Sequence, residues 1–185
     1  TTETIFLAIF GYFFLKEKIT SITLISIILG MSGVLLIVGA SLSIQTNEQF
    51  IGNIVAFIMP ISFAVLVMIV RKYPKVDMVP AQFTAGIFAA LIGLFVAFNI
   101  SISAHDLFLA FLAGFFQIGF GFILITVGSR TTPAAVVGVL MLTESVFGPF
   151  WAWLFINELP PISVLIGGSI IIFSILLQSF YVKKS

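Results

Sequence analysis

The sequence predicts an all-α protein, a polytopic transmembrane helix bundle built from inverted five-helix repeats and incomplete at its N-terminus. Of its 185 residues, 61% are hydrophobic and only 8% are charged, whereas about a quarter are charged in a typical soluble domain. Apolar segments of membrane-spanning length follow one another with short polar loops between them. In addition, one part of the chain repeats another at an offset that would turn the copy upside down in a bilayer.

Six segments have the roughly 17–25 predominantly apolar residues that a transmembrane helix requires. They are 22–41, 51–70, 81–98, 107–127, 134–156 and 161–182. The apolar residues before them end at Leu15 and would span only about 22 Å at 1.5 Å per residue. We therefore expect the first helix to begin upstream of Thr1.

The basic residues give the orientation of these segments. If each segment crosses the membrane once, every Lys and Arg falls on the side that the chain reaches after Leu15. These residues are Lys16, Lys18, Arg71, Lys72, Lys75, Arg130, Lys183 and Lys184. Cytoplasmic loops carry an excess of positive charge, so this side is predicted to be cytoplasmic and residues 183–185 to form a cytoplasmic tail.

Composition also excludes several functions. The chain has no cysteine and a single histidine, His105, in a loop, which argues against a metal site. A net charge of +1 without a basic patch argues against nucleic-acid binding, and a Gly-rich phosphate loop is missing. An intramembrane enzyme would need a cluster of acids, His or Ser on facing helices. We therefore expect neither an enzyme nor a catalytic residue, and no cofactor.

An internal repeat appears when the chain is shifted by 141 residues. Residues 2–6 (TETIF) then align with residues 143–147 (TESVF), which places Glu3 over Glu144 and Glu17 over Glu158. Because only five glutamates occur in the chain, these two matches are informative. The copies lie five helices apart, and an odd number inverts one relative to the other. Inverted repeats are typical of secondary transporters; chance similarity between two apolar hairpins is the alternative.

The residues that carry a family resemblance lie in this repeat. They are Leu142-Thr143-Glu144-Ser145 and Ile156-Asn157-Glu158-Leu159, with an echo at residues 2–20. The pattern resembles the drug/metabolite transporter superfamily and most of all its EamA-type members. In that family a Pro often follows the first Glu directly, and a Gly often precedes the second. Here Pro149 comes five residues after Glu144, and Asn157 precedes Glu158.

The resemblance implies a ten-helix protein in a bacterial-type inner membrane. Residues 1–41 would be the end of the first EamA-like repeat and residues 51–182 the complete second repeat. It implies secondary active or facilitative transport of a small metabolite without ATP. The expected partners are a small-molecule substrate, the lipid bilayer and protons. The alternative is a structural or accessory membrane protein, or a channel without coupled transport.

Glu144 is the main candidate for the substrate or proton site. It is the eleventh residue of segment 134–156, which places it near the bilayer midplane. A carboxylate there costs about 2.5–3.5 kcal/mol, so it should face a polar cavity or a partner, or be protonated. This suits proton coupling or a cationic substrate. Alternatively, Glu144 hydrogen-bonds a neighbouring helix or free backbone, since Pro149 leaves the Ser145 carbonyl without a donor.

Four further residues belong to the predicted site. Glu3 occupies the equivalent position in the first repeat, and Thr143 directly precedes Glu144. Gln117 is an amide in the middle of a span rich in Phe and Gly, where the alternative is a hydrogen bond between helices. Trp151 shares the helix face of Glu144, whereas an interfacial aromatic belt is the usual position for such residues.

Other residues are interpreted as structural. Gly30, Gly33, Gly167 and Gly168 are predicted to allow close helix contacts, either between the ends of the two repeats or at a homodimer face. Glu17 and Glu158 lie at hairpin turns and are predicted to cap helices rather than bind substrate. Pro60 is predicted to kink its helix.

Overall fold

The computed structural model describes residues 2–39, 52, 55–97 and 102–182, and within them it contains helices and no strand. The helices, in chain order, are α1 (Glu3–Leu15), α2 (Ser21–Gly39), α3 (Ile58–Lys72), α4 (Val79–Val96), α5 (Ala104–Leu112), a π-helix (Ala113–Phe120), α6 (Gly121–Ser129), α7 (Ala134–Met141), α8 (Thr143–Ile156) and α9 (Ile162–Val182). This confirms the all-α prediction.

Five helical stretches of the described residues are long and apolar enough to cross a membrane. They are Ser21–Gly39, Val79–Val96, Ala104–Ser129, Ala134–Phe155 and Ile162–Tyr181. The predicted span 51–70 corresponds to α3, which has 15 residues; part of that span lies outside the described residues. Pro60 falls in the first turn of α3, and the helical residues described before it are interrupted at Phe57. The predicted kink at Pro60 stays a prediction, because part of the span lies outside the described residues.

Two helices begin two or three residues earlier than the hydropathy pattern predicted, and the residues of their first turns explain both. α4 begins at Val79 instead of residue 81, because Pro80 fits the first turn of a helix. α5 begins at Ala104 instead of residue 107, because the Ser103 hydroxyl accepts a hydrogen bond from the Asp106 backbone N–H at 3.1 Å.

Contacts divide the chain into two units, which are described separately. The first contains Thr1–Ile69 and Thr132–Ser185, and the second contains Val70–Thr131. In the second unit, the Arg71 guanidinium donates to the Arg130 carbonyl at 2.9 Å, and the Arg130 guanidinium pairs with Asp77 at 2.9 Å. These bonds join the end of α3, the start of α4 and the end of α6.

Glycines bring α2 and α9 of the first unit into close contact. A Cβ atom added to Gly33 would lie 2.6 Å from the Gly167 carbonyl oxygen, and one added to Gly167 would lie 2.5 Å from the Gly33 oxygen. Small residues at such crossings let helix backbones approach closely. For these glycines the structure confirms a contact between helices of the same chain rather than a dimer face.

The contacts between α2 and α9 are consistent with the predicted shift of 141 residues. Gly30 lies opposite Ser174 and Gly33 opposite Ile171, so the two helices are antiparallel. The shift of 141 residues carries Gly33 onto Ser174 and Gly30 onto Ile171, and therefore exchanges these two contacts. A pair of helices related by an inverted repeat requires this exchange.

The hairpin turns show the same correspondence in their backbone. Lys16 has φ 55° and ψ 29°, and Asn157 has φ 56° and ψ 26°. Within the described part of the chain they are the non-glycine residues with positive φ, and they differ in number by 141. Both therefore end their helices in the same left-handed conformation.

Helix α1 packs along α7 in the same unit. The Thr4 hydroxyl, which is fully buried, donates to the Gly138 carbonyl at 2.9 Å. A Cβ added to Gly138 would lie 2.9 Å from the Thr4 Cα, so the two backbones almost touch. Leu7 and Val137 belong to the apolar cluster beneath this contact.

Candidate functional site

The predicted span 134–156 is confirmed as a helical stretch of membrane-spanning length, Ala134–Phe155, but it is interrupted near its middle, which the sequence did not predict. α7 ends at Met141, α8 begins at Thr143, and Leu142 between them has φ −61° and ψ −17°. The Leu142 N–H donates to the Val139 carbonyl at 3.2 Å, and the Ser145 N–H to the Leu142 carbonyl at 3.1 Å. These i→i−3 bonds and angles are those of a 3₁₀ turn, which in mid-helix often marks a hinge.

Two side-chain features stabilise this turn at Leu142. The Thr143 hydroxyl donates to the Leu140 carbonyl, and such local bonds compete with the regular helical ladder. The Leu142 side chain is fully buried and fills the space left by Gly30, where an added Cβ would overlap its Cδ1 atom. The turn is therefore held by a contact between distant parts of the sequence.

Glu144 lies in the first turn of α8, immediately after this 3₁₀ turn. Glu144 is exposed, and its carboxylate makes no hydrogen bond or ion pair with the described part of the chain. Ten residues of rise place it about 15 Å from the start of α7, near the middle of a ~30 Å hydrocarbon core. The start of a helix favours a negative charge, but an exposed carboxylate at this depth needs water or a partner of opposite charge.

Glu3 lies in the first turn of α1 and is half-buried. Its neighbour Thr4 is bonded to Gly138 of α7, and α8 follows α7 directly. The structure thus places the two predicted carboxylates, Glu3 and Glu144, in one unit, on two helices that both adjoin α7. A direct interaction between them stays a prediction.

The other predicted site residues lie in different surroundings. Thr143 is half-buried at the 3₁₀ turn, beside Glu144. Trp151 is exposed on α8 and stacks on Phe155, with ring centroids 5.7 Å apart. Gln117 is also exposed, and it lies in the π-helix of the second unit. The structure therefore brings together Thr143 and Glu144, with Trp151 two turns further along the same helix.

The π-helix around Gln117 was not predicted from the sequence. A π-helix pairs each N–H with the carbonyl five residues earlier, and accordingly a Cβ added to Gly119 would lie 3.3 Å from the Gly114 carbonyl oxygen. The only sequence feature that could have indicated an irregular helix here is the pair of glycines, Gly114 and Gly119. π-Helical turns occur frequently at functional sites.

The structure also contains a cavity that the sequence did not predict. Its volume is about 220 Å³, and it lies where α1 and α9 end and α2 and α7 begin. Its polar lining includes Glu17, Lys18, Thr20, Thr23, Gln178 and Tyr181. One carboxylate oxygen of Glu17 accepts a hydrogen bond from the Ala134 N–H at 2.8 Å, which confirms that Glu17 caps a helix.

Removing this cap should destabilise the first unit. Glu17→Ala leaves the Ala134 N–H at the start of α7 without its acceptor, which we expect to cost about 0.5–2 kcal/mol. Glu17→Gln keeps an acceptor oxygen and should cost less. Thermal unfolding of the purified protein in detergent measures both variants, and equal losses for alanine and glutamine would contradict the assigned bond.

Membrane-length apolar helices, close glycine contacts and an acidic residue at an interrupted span define a polytopic integral membrane protein. The chain belongs to the EamA-like transporter family, whose model matches residues 50–180. It is therefore a membrane transporter of small molecules, and the family consists of transporters rather than enzymes. No curated protein and no solved structure matches the chain.

Proposed function

We propose that the protein is a secondary transporter, active or facilitative, which moves a small metabolite by alternating access between two inverted repeats. Residues 1–41 would form the end of the first repeat and residues 51–182 the second. The observation that carries this proposal is the 3₁₀ turn at Leu142, which precedes an exposed carboxylate halfway along a membrane-spanning segment.

The exchange of contacts between α2 and α9 supports the two-repeat architecture. The match between the left-handed turns at Lys16 and Asn157 supports it independently, because it concerns another pair of elements. Repeats of opposite orientation permit two states of similar energy that open toward opposite sides. A substrate site at their interface would then be exposed to each side in turn.

Within this mechanism Glu144 binds a proton or a cationic group of the substrate. The 3₁₀ turn allows α8 to rotate relative to α7, and this rotation changes the surroundings of the carboxylate. Thr143 holds the turn through its hydroxyl, and Trp151 supplies an aromatic wall on the same helix. Glu3 is proposed to approach the substrate from the other repeat, and Gln117 stays a predicted site residue of the second unit.

Uptake into proteoliposomes tests the proposal. The protein, expressed as its whole gene product, is reconstituted and offered a panel of radiolabelled amino acids, sugars, nucleosides and organic cations with and without a pH gradient. Saturable uptake of one compound would support secondary transport. A non-saturating ion conductance would support a channel instead, and the absence of both would contradict the proposal.

The orientation is a separate prediction. Lys75 lies in the loop before α4, on the side that carries the basic residues, and His105 lies in the first turn of α5, beyond the other end of α4. We expect Lys75→Cys to react with a membrane-impermeant maleimide only after the cytoplasmic side is opened, and His105→Cys to react on intact cells. Labelling of both from one side would contradict the topology.

A further inference from the structure

Three buried polar atoms between α2 and α9 have no hydrogen-bond partner among the described residues. They are Ser26 Oγ, Ser174 Oγ and Gln178 Oε1, in residues that are at most 1% exposed. Buried polar atoms are almost always paired, and ordered water is the usual partner where the protein supplies none. A serine hydroxyl in a helix normally bonds back to its own backbone, so two unpaired ones facing the same interface are unusual.

The register of the two helices places these atoms along one interface. The antiparallel register that places Gly30 opposite Ser174 places Ser26, one turn earlier, opposite Gln178. Ser174 and Gln178 are four residues apart and share a face of α9, as Ser26 and Thr23 share a face of α2. We call Thr23, Ser26, Ser174 and Gln178 the polar row.

The polar row connects two features of the first unit. At one end, Thr23 and Gln178 line the cavity of about 220 Å³, which has room for several water molecules at about 30 Å³ each. At the other end, Gly30 contacts both Ser174 and Leu142. The row therefore runs from the end of the helices to the 3₁₀ turn.

We propose that the polar row is a water-filled path that leads from the cavity beside Lys18 to the 3₁₀ turn before Glu144. Water molecules donate to Gln178 Oε1 and exchange hydrogen bonds with the two serine hydroxyls. A proton can pass along such a chain when each water or hydroxyl accepts one proton and releases another, so that no group in the row stays charged. The use of the path for coupling rests on the proposed function, whereas the presence of water in it does not.

Silver ions test whether water reaches the row. Silver is a small, water-soluble cation that reacts with cysteine thiolates, and the 185 residues contain no native cysteine. Ser26→Cys and Ser174→Cys are nearly isosteric changes. Val34→Cys, buried on α2 among apolar side chains, and Ile28→Cys, on the exposed apolar face of α2, are the controls.

We expect silver added on the Lys18 side to block later maleimide labelling at residues 26 and 174 at least about tenfold faster than at the two control positions, because a thiol ionises only where water reaches it. Equal, slow reaction at all four positions would show a dry interface and overturn the proposal.

Hydroxyl-radical footprinting of the unsubstituted protein gives a second readout, since a water-filled row should raise oxidation of the half-buried Met31 beside it above that of Met141. Equal oxidation of the two methionines would likewise contradict it.

This test and the uptake assay fail independently. Fast silver reaction without uptake of any compound would leave the water path in place and remove the transport mechanism. Uptake without silver reaction at residues 26 and 174 would leave the transporter in place and remove the path.

Discussion

Glu144→Gln is expected to abolish gradient-driven uptake of whichever panel compound the parent protein transports, with a loss of at least about tenfold in initial rate, equivalent to about 1.4 kcal/mol. The amide keeps the size of the side chain but can neither bind a proton nor neutralise a cation at this depth. Because Glu144 is exposed and makes no bond within the described chain, the folded state should be retained. Initial uptake rates and gel-filtration profiles measure the two effects separately.

Asp106→Asn is the matched control for this substitution. Asp106 is also exposed, but it lies in the first turn of α5, where its carboxylate accepts a hydrogen bond from the Ser103 hydroxyl at 2.7 Å. The amide of asparagine still offers an acceptor oxygen, so uptake should stay near the parent rate. Parent-like uptake by Glu144→Gln, with and without a pH gradient, would remove this residue from the mechanism.

Gly33→Ala combined with Gly167→Ala is expected to cause the largest loss of stability. Each added Cβ would approach the carbonyl oxygen of the opposite glycine to within 2.6 Å, and a backbone atom cannot move aside as a side chain can. Separating α2 from α9 should cost about 1–3 kcal/mol for each overpacked site. The melting temperature should fall by about 2–4 °C per kcal/mol, which thermal unfolding in detergent measures.

Gly93→Ala provides the control for this prediction. Gly93 lies inside α4, and an added Cβ would meet nothing within 4 Å in the described structure. Alanine is a better helix former than glycine by up to about 1 kcal/mol, so stability should be unchanged or higher. A double alanine variant at residues 33 and 167 as stable as the parent would contradict the close contact of α2 and α9.

The sequence was sufficient to predict the helical membrane architecture because hydrophobicity alone determines it. It was less successful where local chemistry decides an element's boundary, as at Pro80 and Ser103, which start their helices earlier than hydropathy indicated. The 3₁₀ turn at Leu142 could not be predicted from the residues around it, since the space for the Leu142 side chain is provided by Gly30 on another helix.

In the candidate site, too, individual residues could be predicted from the sequence, whereas their partners in distant parts of the chain could not. Glu144 stands out in the sequence because a charge within an apolar span is rare. The capping role of Glu17 was also predictable, but its partner Ala134, 117 residues away, was not. Ser26 and Ser174 look like ordinary small residues of packed helices, and only the register of α2 against α9 places their hydroxyls in one row.

The most direct test of the account is whether the position beside Glu144 opens to both sides of the membrane. Thr143→Cys places a thiol at the 3₁₀ turn in a chain segment without native cysteine. A membrane-impermeant thiol reagent is applied in separate experiments to right-side-out and inside-out vesicles, and the fraction of protein labelled is measured. Alternating access predicts labelling in both orientations. Labelling from one side only, or from neither, would contradict it.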